Sequence, residues 1–225
     1  MAKTRHRISV EDQRRATEAN TRGLKLYQSW DLPAAVAEFE TAAHLVPNHP
    51  DYWLNHARAL ARGGDYDKAL KSLAEFIRVE KNPELVERYE RMFANAMDEV
   101  ETLLTQKMAA AQQPMEEIGA AIQMWLEYRI AIGRQSLVIR KPEAWSAALD
   151  LTVRRVNLRS VPAKEIAGLY NISEATLRER HHSLVKALDI MPCDYRYFAG
   201  KDNPLDKLVE AAELLQQLED KFLQP

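Results

Sequence analysis

The sequence predicts an all-α fold, and three observations carry that expectation. A self-similarity with a spacing of 34 residues runs through 16–83, apolar residues recur at helical spacing in each later segment, and capping and turn residues stand at the joints. At 225 residues, 46% hydrophobic and 28% charged, the chain can fill one large core or two small ones.

Residues 1–15 are basic and polar, with Lys3, Arg5, Arg7, Arg14 and Arg15. They read as an arm that becomes helical near Val10 or Glu11; solvation and a grip on nucleic acid are both open as its use.

Residues 16–83 then read as two helical hairpins. Asp31 pairs with Asp65, Ala35 with Ala69 and Phe39 with Leu73, each 34 residues apart. Two helices approach closely only where small residues face each other, and Gly23, Ala35, Ala57 and Ala69 provide that. Trp53 reads as a buried filler whose truncation costs roughly 3–5 kcal/mol. With Gly64-Asp65-Tyr66 as a turn and Pro47 closing a unit, this stretch resembles tetratricopeptide repeats. Two positions depart from the pattern: Ala19 stands in place of the aromatic and Lys81 in place of the proline. The resemblance implies that the inner face of the first helices binds a protein or peptide, through Asn20, Leu24, Tyr27, Asn55, Arg58 and Arg62. Arg58 and Arg62, one turn apart, suit an acidic group or a C-terminal carboxylate. The clamp of chaperone adaptors is not matched, because Leu24 stands where its asparagine would be. A solvated inner face that only stabilises the stack is the other reading.

Two hairpins need cover. A long connecting helix over 84–112 is expected to supply it, with Leu85, Tyr89, Met92, Ala96, Val100 and Leu103 on one stripe. Gln112-Gln113-Pro114 reads as the domain boundary.

The segment 114–190 reads as a second helical domain. Ile118, Ile122, Trp125, Leu126 and Ile130 mark one helix, and Trp145, Ala148, Leu149, Thr152, Val153 and Val156 another. In VPAKEIAGLYNISEATLRERHHSLVKAL, from Val161 to Leu188, Pro162 suits a first helical turn. Ile166, Ala167, Leu169 and Tyr170 form one buried side, Asn171 a turn at positive φ, and Ser173 an N-cap. Leu177, His181, Leu184, Val185 and Leu188 then line the inner side of a second helix. PEAWSAALDL followed by KEIAGLYNISEATLRERHHSL resembles the helix-turn-helix of the cyclin-like repeat in B-type transcription initiation factors. That resemblance implies contact with duplex DNA through Lys164, Thr176, Arg178, Glu179, Arg180, His182 and Lys186. An ordinary helical corner whose polar side meets water is the alternative.

Asn203 as N-cap and Pro204 at the first position open a terminal helix over 203–223, which either folds back or pairs with a second copy in a homodimer. Before it, Tyr195, Tyr197 and Phe198 stand in a loop.

Charge separates the segments: residues 134–186 carry ten Lys and Arg against five Asp and Glu, whereas 84–133 carry four against nine. The basic excess thus coincides with the helix-turn-helix and favours a polyanion there. There is no apolar stretch suited to a membrane span or a signal peptide, so a soluble, cytoplasmic protein is expected. One cysteine, Cys193, excludes an internal disulfide and a cysteine-based zinc site. With no glycine-rich phosphate loop, HExxH or serine elbow, neither an enzyme nor a metal or cofactor is expected. The reading is a DNA-associated regulator that holds a protein partner in its hairpins; a pure protein-interaction adaptor is the alternative.

Overall fold

The computed structural model describes residues 8–94, 97–201, 203–206, 208, 209, 212 and 213. Helices and connecting turns make up these residues, with no strand among them. They fall into two compact units, one formed by the described residues of 1–96 with 126–138, the other by those of 97–125 with 139–225.

In the first unit α1 (Val10–Gln28) packs on α2 (Leu32–Leu45), and α3 (Pro50–Arg62) packs on α4 (Tyr66–Val79). Ser9 and Asp12 form a capping box at the start of α1, so that helix begins at Val10 and takes in Arg14 and Arg15 of the expected 1–15 arm; residues 1–7 lie outside the described residues. Both hairpin turns are built alike. Trp30 and Gly64 sit at φ 64° and 83°, and Asp31 and Asp65 each cap the next helix, accepting from Ala34 N–H and Lys68 N–H. The N–H of Asp31 reaches Leu26 C=O, as that of Asp65 reaches Leu60 C=O, each at 3.0 Å. These six-to-one bonds satisfy carbonyls that a helix end leaves open. Ala35, Ala57 and Ala69 are fully buried, and a Cβ on Gly23 would meet Phe39 Cε1 at 2.7 Å, so the close approach requires glycine. Trp53 is only half-buried; its indole donates to Pro47 C=O at 2.9 Å, so the cost expected for truncating a fully buried ring is an overestimate.

The expected helix over 84–112 is not continuous. It divides into α5 (Pro83–Glu90), a 3-10 turn (Arg91–Phe93) and α6 (Glu99–Ala110). Asp98 forms a capping box with Glu101 and also accepts from Trp125 Nε1 at 2.8 Å, which starts a new helix where apolar spacing alone reads straight through. The apolar stripe is accordingly shared: Tyr89 joins Leu73, Phe76 and Ile130 in the first core, while Val100 lies fully buried in the second unit. Ile130 belongs to α7 (Met115–Ala131), so the end of α7 covers the hairpins where the long helix was expected to do so. Gln112-Gln113-Pro114 does make a turn, with Gln112 at φ 54°, but the units divide on either side of it.

The segment after Ala131 is held by side chains of the first unit. Tyr89 Oη donates to Gly133 C=O at 2.9 Å, and Arg88 donates to the same carbonyl and to Gln135 C=O at 2.5 Å. Arg134 pairs with Asp51 and Glu80, each at 2.5 Å.

In the second unit α8 (Pro142–Val156) is the central element, buried from Ala144 to Val156 except at Arg155. It packs against α6, α9 (Ala163–Leu169) and α10 (Glu174–Leu188). Ser146 Oγ donates to Val100 C=O at 2.9 Å, tying α8 to α6. Asn203 Oδ1 accepts from Leu205 N–H as expected of a cap, and its amide reaches Cys193 C=O; the apolar stripe of 203–223, expected either to fold back or to pair with a second copy, lies mostly outside the described residues.

Candidate nucleic-acid interface

The corner between α9 and α10 is set by local chemistry. Pro162 stands as the N-cap of α9, one position before the expected first turn. Asn171 sits at φ 52°, and Ile172 N–H closes on Ala167 C=O at 3.0 Å. Asparagine tolerates this left-handed position better than any other residue with a side chain, glycine alone doing so freely. Ser173 Oγ accepts from Thr176 N–H at 3.1 Å and begins α10. Ile166, Ala167, Tyr170, Leu177, Leu184 and Leu188 are buried, and Leu169 only partly so.

Buried polar groups lock the corner onto α8. Asp150 is fully buried and takes Arg154 Nε at 2.5 Å and the Tyr170 hydroxyl at 3.1 Å. On the other side Arg155 Nη1 donates to His181 Nε2, and His181 Nδ1 meets Thr152 Oγ1, both at 2.9 Å. Thr152 donates its own hydroxyl proton to Ala148 C=O at 2.6 Å, so His181 donates from Nδ1 and is neutral. Burial, with Arg155 and then His182 nearby, pushes its imidazole down to about 4. The pairings of Asp150 with Tyr170 and of His181 with Thr152 and Arg155 were not legible from the sequence, because these partners lie 20 to 29 residues apart in the chain.

The residues expected to meet DNA are placed unequally. Lys164, Glu179, His182 and Lys186 are exposed, with Ala175 beside them, and Thr176 is half-buried. Arg178 is 70% exposed but paired with Glu174 at 2.7 Å. Arg180 lies over the Trp145 ring at 5.2 Å, and a carboxylate oxygen of Glu179 is at 3.4 Å. The two arginines expected to flank the outer face are thus engaged within the unit.

Of the six residues expected to bind a partner, Asn20, Tyr27, Asn55, Arg58 and Arg62 come together in the first unit. Asn55 donates to Asn20 at 2.9 Å, and Arg58 Nη1 to Asn55 Oδ1 at 3.3 Å. Arg58 Nε donates to Ala131 C=O at 3.1 Å, at the end of α7. Arg58 and Arg62 lie 5.4 and 4.6 Å from the centre of the Tyr27 ring. Arg62 also lies over Trp30 at 4.0 Å, a residue outside the predicted set. The predicted groove is therefore partly filled by the chain itself, with Arg58 capping an open carbonyl at a helix end.

His56 shares a hydrogen bond with Ser72 at 3.0 Å, His49 stacks on Tyr52, and His44 sits edge-on to Trp53. No group of three or more His, Cys, Asp or Glu among the described residues could hold a metal ion.

Fold and site together define an all-helical protein with a hairpin unit and a helical-corner unit, in which no described helix is long and apolar enough to cross a membrane. No protein-family model matches the chain, and no solved structure matches it. The chain is similar to YccF of Bacillus subtilis (strain 168), itself uncharacterized, at 30% identity over 99 residues; the match covers 43% of this chain and 27% of that protein's length.

Proposed function

We propose that the protein is a DNA-associated regulator, in which α10 enters the major groove of a duplex while the hairpin unit holds a protein partner. One observation carries this reading. α10 turns Leu177, Leu184 and Leu188 inward and leaves Ala175, Glu179, His182 and Lys186 exposed, on a corner fixed to α8 by one buried and one half-buried hydrogen bond. A rigid helix with a free outer face is what base-edge contact needs. The engagement of Arg178 and Arg180 shifts the expected phosphate contacts toward Lys164 and Lys186.

The same two arginines favour a second reading, an adaptor whose corner docks another protein. Titration of the full chain into a labelled random duplex at low salt separates the two. Binding in the range of roughly 10⁻⁴ to 10⁻⁶ M, weakening steeply with salt, is expected of the regulator. Silence at tens of micromolar leaves the adaptor.

A further inference from the structure

Beside the corner, the second unit contains a cleft of about 740 Å³ whose wall includes Lys107 of α6, Arg140 and Lys141 ahead of α8, and Ser173 and Thr176 at the start of α10. Glu143 is the one acidic residue lining it. Several cations elsewhere in the protein pair with carboxylates: Arg22 with Glu38, Arg78 with Glu75, Arg154 with Asp150 and Arg159 with Glu117. Lys107, Arg140 and Lys141 make no such pair, and no side-chain hydrogen bond, among the described residues. Three like charges on one concave wall repel one another, and an anion in the cleft turns that repulsion into attraction. The positive end of α10 adds to the same field.

We propose that this cleft anchors backbone phosphate of duplex DNA, held by Lys107, Arg140 and Lys141. The inference rests on the duplex reading and deepens it by naming the phosphate contacts. Duplex phosphate, rather than a small free phosphate compound, is favoured because the cleft wall reaches Thr176, the immediate neighbour of Ala175 on the exposed face of α10. A strand whose bases meet that face brings its backbone to the cleft. The arrangement also explains why α10 can tie up its own arginines: the phosphate charge is met by residues outside the corner.

The test is fluorescence anisotropy of a labelled random duplex with the full chain across a salt series. K107A/R140A/K141A is compared with wild type and with K71A/R78A/K81A, which removes equal charge from exposed positions in the first unit. The cleft variant should lose at least about tenfold in affinity at low salt, and its salt slope should flatten by about 2 to 3, at roughly 0.9 per phosphate contact. The control should follow wild type. Thermal melts verify folding, and if the triple variant melts early, K141E alone should still weaken binding more than K141A. Wild-type binding with an unchanged cleft variant overturns the anchor and leaves the duplex reading standing. Absence of wild-type binding overturns both. Calorimetric binding of inorganic tripolyphosphate, abolished in the cleft variant while duplex is ignored, would assign the cleft to a small polyphosphate and overturn the commitment to DNA.

Discussion

The hydroxyl of Tyr170 donates to the buried carboxylate of Asp150 at 3.1 Å, and so joins the last turn of α9 to the centre of α8. Tyr170 immediately precedes Asn171, the residue that turns the corner. A hydrogen bond to a buried charge contributes more than one between neutral groups. Tyr170→Phe should therefore cost about 1.5–3 kcal/mol, measured by chemical denaturation. Amide exchange at Ile172, which closes the turn, should quicken with it. An unchanged midpoint would mean that Arg154 alone satisfies Asp150.

His181 makes the second unit sensitive to acid. Its folded pKa, about 4, lies below the ordinary value of 6.5. The stabilisation of the neutral ring is thus fully present above pH 6.5 and is lost as pH falls toward 4. Discounted for partial exposure, the loss is of order 2 kcal/mol. His56, also lowered by burial, acts in the same direction. Denaturation midpoints of wild type and His181→Gln, followed from pH 7 to 4, should converge as pH drops. Parallel curves would show that His181 contributes nothing to the acid response.

The core of the hairpins depends on a residue far along the chain. Ile130 is fully buried among Leu73, Phe76 and Tyr89, and Ile130→Ala should cost about 2–5 kcal/mol. A fragment ending at residue 112, which the sequence presents as a complete hairpin unit, lacks Ile130 altogether. It should melt earlier than the full chain and bind a hydrophobic dye. A fragment as stable as the full chain would refute this role for α7.

Gly23 faces Phe39 so closely that a Cβ added at the glycine would lie 2.7 Å from the ring. Alanine gains about 1 kcal/mol of helix propensity there, while overpacking costs about 1–3. Gly23→Ala should lower stability by about 1 kcal/mol net. A rise in melting temperature would show that the ring moves aside freely.

Arg178 and Arg180 should separate in a stability measurement. Arg178→Ala removes one exposed pair with Glu174 and should change stability by less than about 1 kcal/mol. Arg180→Ala also loses a contact over Trp145, which contributes about 0.5–2 kcal/mol. Equal effects would return Arg180 to the outer face as a free cation.

Asp65, Asn171 and Ser173 were legible in the sequence, and each occupies the cap or turn assigned to it. Their partners are backbone groups a few residues away, so the local order of side chains is enough to determine them. The hairpins' small facing residues are legible for the same reason, since the 34-residue spacing repeats the whole local arrangement. Only the tertiary structure decided that Asp98 divides the expected long helix, that Ile130 closes the first core, and that Asp150 receives Tyr170. It alone brings Lys107 to the same cleft as Arg140 and Lys141 and lays Arg180 on Trp145. Hydrophobic period states that a helix has an apolar face but not which face it meets, because burial is non-directional and several pairings remove similar area from water. The choice falls to packing and to buried polar groups whose partners lie tens of residues apart.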